Sequence, residues 1–240
     1  MKIRTLVVTA LAFTLSACSA LALGSLDVIR GDGQVRLESR DAPSFTGIEN
    51  QGSGLVRFSQ GATRQVTVEA DANILPYVET EVRGGVLVLR TRPGISISPT
   101  RLVFRITAPE LSSAVIAGSG GFRLDTPITT GAFEVRIEGS GGFNGTVTAG
   151  TVAAGIYGSG GVSLGGSART VRFDIDGSGG IDAADLPCVD ARVVIRGSGS
   201  VTLQATGTLD VDIDGSGDVR YRGSPRLTVR DTGSGRVTGF

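Results

Sequence analysis

The chain has 240 residues, with 23 basic against 23 acidic side chains, no His, no Trp, one Met, two Cys and 37 Gly. Without histidine there is no Ser-His-Asp or Cys-His pair and no His-ligated zinc, haem or copper, which excludes most hydrolase and metalloenzyme chemistry. A net charge of zero argues against a nucleic-acid partner, which draws on a basic surplus, and no cofactor is expected.

Residues 1–17 read as a signal peptide: a charged start, Met1-Lys-Ile-Arg4, then the apolar stretch Thr5 to Ser16. Leu15-Ser16-Ala17-Cys18 resembles a bacterial lipobox, in which cleavage before the cysteine leaves it to carry the lipid. Ordinary secretion, with cleavage after Ala20-Leu21-Ala22, is the alternative. Buried methylenes contribute about 0.8 kcal/mol each, so several acyl chains on Cys18 make a firm membrane tether. Ser19 resembles the outer-membrane sorting pattern. Loss of Lys2 and Arg4 leaves 21 basic against 23 acidic residues, so charge is not the anchor.

Residues 18–44 form the lipidated N-terminus and a tether with a first strand, Gln34 to Glu38. The β-solenoid domain is expected over 45–240, with 45–111 as an N-terminal cap region. There, Val66 to Glu69, Val78 to Val82, Val86 to Arg90 and Leu102 to Thr107 read as strands. Arg83-Gly84-Gly85 reads as a tight hairpin turn between the second and third of these.

Residues 112–240 are dominated by a repeat. Gly-Ser-Gly begins at Gly52, Gly118, Gly139, Gly158, Gly177, Gly197, Gly215 and Gly233, and from Gly118 the intervals are 21, 19, 19, 20, 18 and 18. A period near twenty marks a solenoid. The interval of 66 from Gly52 to Gly118 has room for about three further turns without the motif. Two residues before the first glycine stand Ile116, Ile137, Ile156, Ile175, Ile195 and Ile213. Four after it stand Phe122, Phe143, Val162, Ile181, Val201, Val219 and Val237. Alternation on both sides of the motif means half-buried strands, all-β and stacked in parallel.

The paired glycines are read as structural turns, corners where a Cβ has no room and where φ > 0 is open to glycine. The pairs are Gly118 with Gly120, Gly139 with Gly141, Gly158 with Gly160, Gly177 with Gly179, Gly197 with Gly199, Gly215 with Gly217, and Gly233 with Gly235. The serines between them, Ser119 through Ser234, are expected to bond neighbouring backbone groups. A phosphate-cradling loop is the functional alternative, but it requires a helix where strands follow. In the last turn Asp231 breaks the isoleucine column beside Arg230, a charged edge with a minimal cap. Edge-to-edge self-association is therefore an expectation for this end.

Phe45-Thr-Gly-Ile48, Gly52-Ser-Gly54, Phe58-Ser-Gln-Gly61, Val66-Thr-Val-Glu69, Leu75-Pro-Tyr-Val78, Gly84-Gly-Val-Leu-Val88, Pro109-Glu-Leu111 and the later Gly-Ser-Gly coils resemble, in order and spacing, the bacterial head GIN domain family (DUF2807) of auto-transporter adhesins. The resemblance covers about 45 to 240. It implies a right-handed parallel β-helix, frequent on envelope lipoproteins, with an adhesive role and no catalytic residues. Gly47-Ile48-Glu49 departs from it, because the family name places Asn after Gly-Ile.

Three features bear on chemistry. Asp174 to Asp185 matches the EF-hand pattern of oxygens at positions 1, 3, 5, 9 and 12 with glycine at 6. That loop needs flanking helices, and alternating strands stand there instead. Nine Asp and two basic residues, Arg192 and Arg196, fall between Asp174 and Asp218. Aligned on the repeat, Asp174 and Asp212 share one outward column, and Asp176 and Asp214 another with Arg196 between them. At about 4.8 Å per coil each acidic pair stands near 10 Å apart, which predicts a guanidinium-bridged charge ladder and leaves these four aspartates as weak metal candidates. Cys188 is left without a partner once Cys18 is acylated, and reads either as a buried apolar residue or as an intermolecular disulfide or reactive thiol. The functional expectation is a non-enzymatic envelope lipoprotein, an adhesin or scaffold bound to the membrane and to an unidentified macromolecule. The alternative is a polysaccharide-binding or lyase-like β-helix using the Asp174–Asp218 face, with Tyr157 as the outward aromatic.

Overall fold

The computed structural model describes residues 28–240; the expected signal peptide, residues 1–17, and the expected lipidation site Cys18 lie outside the described residues. The described chain is almost entirely strand. The cap region holds β1 (Val28–Arg30), β2 (Val35–Arg40), β3 (Gly47–Asn50), β4 (Leu55–Gln60), β5 (Gln65–Asp71), β6 (Val78–Arg83), β7 (Val86–Thr91), β8 (Ser96–Ser98) and β9 (Leu102–Ala108). The coils follow as β10 (Ser113–Ile116), β11 (Gly121–Leu124), β12 (Ile128–Gly139), β13 (Gly142–Gly158), β14 (Gly161–Gly177), β15 (Gly180–Gly197) and β16 (Ser200–Gly215). Three shorter strands end the stack, β17 (Asp218–Arg222), β18 (Arg226–Asp231) and β19 (Arg236–Gly239).

From β12 onward each coil is a parallel strand paired with the next. The isoleucine column runs in register, Ile137 beside Ile156, then Ile175, Ile195 and Ile213. Each of these is at most 1% exposed, and burial of such a side chain is worth roughly 1.5–3 kcal/mol. Phe122 stacks on Phe143 one coil away, with ring centroids 5.6 Å apart. The inward residues Val147 and Val152 are an odd number of positions apart, so the alternation slips at a second bend between them.

The Gly-Ser-Gly corner is a steric requirement, but its two glycines are required for different reasons. Five successive first glycines, Gly139, Gly158, Gly177, Gly197 and Gly215, have φ between +121° and +140°, a region open to glycine alone. A Cβ there would come within 2.3–2.6 Å of the glycine carbonyl oxygen one coil back. The positive φ expected of every corner glycine is corrected at the rest. Gly118 and Gly233, at the two ends of the series, lack it, and so do all the second glycines: Gly120, Gly141, Gly160, Gly179, Gly199, Gly217 and Gly235. At the five central corners the first glycine, the last residue of the incoming strand, takes the unusual φ, and the second stands one residue before the outgoing strand begins. What excludes a side chain from the second position is packing. A Cβ on Gly141, Gly160, Gly179, Gly199, Gly217 or Gly235 would lie 2.5–2.8 Å from the Cγ2 of an isoleucine in the previous coil. On Gly120, where that column holds Asn50 instead, it would lie from the Asn50 amide nitrogen at a distance too short for any real contact.

The expected serine ladder does not form. The backbone N–H groups of Ser159, Ser178 and Ser216 donate to glycine carbonyls of the preceding coil at 3.0, 3.0 and 2.8 Å. The hydroxyls of the corner serines point into solvent without a protein partner among the described residues, because the backbone already satisfies the corner.

The interval between Gly52 and Gly118 corrects a further expectation. It holds one coil rather than three, and that coil is out of order. β3 and β4, on either side of the Gly52 corner, pair in parallel with β10 and β11 on one side and with β7 and β9 on the other. The chain therefore lays down the middle layer first, then the layer below it, then returns above to start the regular stack. Antiparallel strands extend this end: β6 pairs with β7, while β5 pairs with β9 and β2 with β5. The β6–β7 hairpin turns at Gly84 and Gly85, both with positive φ, +57° and +80°, as a two-residue type I′ turn requires. At the other end Asp231 lies opposite Ile213, and the inward-column residues Leu227 and Val229 are 39% and 43% exposed.

Candidate functional site

The strands leading into each corner present three outward columns, and pairing fixes their rows. Glu134, Arg136 and Glu138 form one row; the next holds Ala153, Gly155 and Tyr157. Arg172, Asp174 and Asp176 follow, then Arg192, Val194 and Arg196, then Asp210, Asp212 and Asp214. The metal candidates therefore stand where the repeat alignment puts them, Asp174 and Asp212 on either side of Val194, Asp176 and Asp214 on either side of Arg196. The bridged ladder does not form. Arg196 makes no ion pair with either neighbour, and Asp174 is instead held within its own row by a forked pair from Arg172, at 2.8 and 3.2 Å. In-row partners two residues apart stand on the same side of one strand, whereas partners on adjacent coils need two extended side chains to converge across the coil spacing. Among the described residues, no three His, Cys, Asp or Glu side chains gather closely enough to hold a metal ion. Strands β14 and β15 occupy the place of the EF-hand helices.

A different feature of the same face is built by small residues. Ala153 and Gly155 sit between rows of long side chains, and the surface drops there into a depression of about 440 Å³ lined by Glu134, Arg136, Tyr157, Arg172, Asp174 and Arg196. Tyr157 is 42% exposed. Its ring leans back over Gly155, where a Cβ would lie 3.2 Å from the ring. The Arg136 guanidinium covers it at 4.3 Å from the centroid and is in turn fixed by Glu138 at 2.7 Å. That hydrogen bond raises the Arg136 pKa further, against the opposing effect of burial. The depression thus combines a held aromatic ring, a forked Arg–Asp pair and a guanidinium unpaired among the described residues, a set suited to hydrogen bonding and ion pairing with a polar ligand.

Arg136, Arg172, Glu134 and Gly155 are absent from the sequence-based candidates, although the repeat alignment already put Arg136, Gly155 and Asp174 in one column. The signal was the small residue between two long ones. On the strands that leave the corners, a trough of similar volume, about 440 Å³, runs over Gly161 and Gly180 beside Ser163, Asp182 and Thr202. It has hydroxyls and one carboxylate but no cation, and its one aromatic ring, Phe143, is buried in the core beneath it. Cys188 is buried at 4% exposure, its thiol donating to the Gln204 carbonyl at 3.2 Å. Burial, and then the charge of Asp190, push its pKa up to about 11.

No helix among the described residues is long and apolar enough to cross a membrane. A comparison with curated proteins returns no match. Among solved structures, a "putative adhesin" from Bacteroides fragilis NCTC 9343 is 21% identical, with a TM-score of 0.83 over 88% of this chain and 100% of that one. A "putative lipid binding protein" from Parabacteroides distasonis ATCC 8503 is 24% identical, with a TM-score of 0.75 over 88% and 99%. A "putative adhesin" from Parabacteroides merdae ATCC 43184 is 20% identical, with a TM-score of 0.68 over 89% and 99%. These likenesses establish the β-solenoid fold. Residues 44–225 match the family described as "putative auto-transporter adhesin, head GIN domain", and with well over half of its length matched the chain belongs to that family.

Proposed function

We propose that the protein is a non-catalytic adhesive or scaffolding module of the bacterial cell envelope, tethered to a membrane by lipid on Cys18. The observation that carries this reading is the shape of the outward surface. Corners of three residues join long paired strands, so the regular coils present ladders of side chains in register rather than loops that wall a cleft. Such a surface suits contact with an extended partner, because each coil repeats the same backbone frame at about 4.8 Å. Family membership supports an adhesive role. Leu15-Ser16-Ala17-Cys18 supports the lipid tether.

The full chain, expressed in a bacterium with an outer membrane, tests both parts. Detergent phase partition is expected to place the wild type with membranes and the Cys18→Ser variant in the aqueous phase. Equal partition of the two overturns the tether. Cells carrying the wild type are expected to adhere to a polysaccharide- or protein-coated surface more than cells lacking it, and equal adherence on every coating overturns the adhesive part.

A further inference from the structure

We infer that the depression around Gly155 is a binding site for an acidic glycan, with Arg196 taking the carboxylate of a hexuronate unit and an adjoining sugar ring lying against Tyr157. The inference rests on the adhesive reading and names the ligand class for it.

Three observations carry it. The first is unused charge. Arg172 is committed to Asp174 and Arg136 to Glu138, whereas Arg196 lines the same depression without an ion pair among the described residues. A guanidinium fork matches a carboxylate in two parallel hydrogen bonds, which is the geometry Arg196 has free. The second is preorganisation. Tyr157 leans on the Gly155 backbone with the Arg136 guanidinium over one face, while its exposed remainder stays open, so a ligand ring meets an aromatic surface that loses little freedom on binding. The third is the acceptors. Glu134 and the Arg172-held carboxylate of Asp174 also line the depression. Ionised carboxylates accept and cannot donate, so they call for hydroxyl donors, which a bare phosphate dianion or sulfate lacks. A sugar acid supplies an anion for Arg196 and hydroxyls for the two carboxylates in one molecule. The volume of about 440 Å³ lies in the range of small-ligand sites. The rows from Glu134 to Arg196 are three coil steps apart, roughly 14 Å, which suits an oligosaccharide lying along the stack.

Calorimetric titration of the purified full-chain Cys18→Ser variant with trigalacturonate is the test, with the neutral galactose trimer of the same linkage and triglutamate as comparisons. The acidic sugar is expected to bind, and the neutral trimer and the peptide to bind at least about tenfold more weakly. Arg196→Ala and Tyr157→Ala, both at exposed side chains, are each expected to weaken binding about tenfold or more, with circular dichroism showing that the fold is retained. Arg192→Ala, in the same row but outside the depression, is expected to leave it unchanged. Binding of triglutamate as tight as that of the sugar overturns the glycan assignment. Absence of binding at millimolar trigalacturonate, or binding that Arg196→Ala and Tyr157→Ala do not alter, overturns the site. Cells that adhere normally while carrying Arg196→Ala and Tyr157→Ala together leave the adhesive reading standing and remove this site from it.

Discussion

The side-chain amide of Asn50 donates to the main-chain carbonyl of Gly54 across 2.8 Å, fully buried, and its Oδ1 accepts from the Gly52 N–H at 3.3 Å. Asn50 stands in the isoleucine column, paired with Ile116 above and Leu89 below. One position beyond the Gly47-Ile48-Glu49 departure, it closes the first corner from inside, where the coils from Ile116 to Ile213 place an isoleucine. Asn50→Ala takes the side-chain donor from the Gly54 carbonyl, which keeps the Gly121 N–H, and the acceptor from the Gly52 N–H, and is expected to cost about 1–3 kcal/mol. Asn50→Leu matches its column neighbours in polarity but removes the same two hydrogen bonds. It is expected to destabilise as well, a comparison that chemical unfolding of both variants measures; a leucine variant as stable as wild type would mean the hydrogen bonds contribute nothing net.

The two components of the corner separate cleanly by substitution. Gly158 has φ of +140° and a Cβ on it would lie 2.5 Å from the Gly139 carbonyl oxygen, so Gly158→Ala combines backbone strain with overpacking. The expected loss is about 2–5 kcal/mol. Ser159 is exposed and its hydroxyl has no protein partner among the described residues, so Ser159→Ala is expected to stay within about 0.5 kcal/mol of wild type. Thermal unfolding of the pair checks this. A large effect at Ser159 would return the corner to the serine column that the sequence had suggested.

Asp71 fixes the cap region and gives it an acid limit. Its carboxylate accepts from the Thr100 hydroxyl and backbone N–H and from the Gly33 N–H, joining β5 to the segments before β2 and β9. The Thr100 hydroxyl bond is the largest cause of its lowered pKa, and backbone donors add to it against the opposing effect of burial. A lowered folded-state pKa contributes stability above the ordinary carboxylate range, and that contribution disappears as pH falls through the folded value. Asp71→Asn is expected to be less stable than wild type at neutral pH, and to lose less stability than wild type as pH falls below the ordinary carboxylate range. Unfolding curves at three pH values measure both differences, and parallel acid losses in the two proteins would remove Asp71 from the account.

The regular stack was legible because one local signal repeats. Gly-Ser-Gly fixes the corners, alternation fixes the inward face, and alignment on Gly118 gives the coil register down to Asp231 opposite Ile213. The hairpin at Gly84-Gly85 was legible for the same local reason. The motif did not say which glycine turns the chain and which makes room for an isoleucine, because both demands select the same residue. Pairing between distant segments also escaped. Nothing in β7 or β9 states that they lie beneath β3 and β4 while β10 and β11 lie above, since parallel strands of similar pattern are interchangeable until the layers are assembled. The charge ladder failed at side-chain level: register placed Arg196 between Asp176 and Asp214, but not its guanidinium against either. The depression at Gly155 needed another kind of information, the relative heights of neighbouring side chains, which columns of residue types contain only when small and large are read together.

Cys188 offers a sharp test of packing in the coils. It sits in an inward column, paired with Ala205 on the next coil, and burial raises its pKa to about 11. The thiolate is the reactive form, so at pH 8 the folded Cys18→Ser chain is expected to leave Cys188 unmodified by a thiol reagent, and denaturant to release one reactive thiol. The sign of the linkage also follows. A thiol whose folded pKa lies above its unfolded value favours the folded state below about pH 9, and that contribution declines as pH rises towards 11. Cys188→Ala keeps a small apolar side chain in the column and removes the titration, so it is expected to lose less stability than the parent between those two pH values. Rapid labelling of the native chain at pH 8 would show that the coils around β15 and β16 open far more readily than their burial implies.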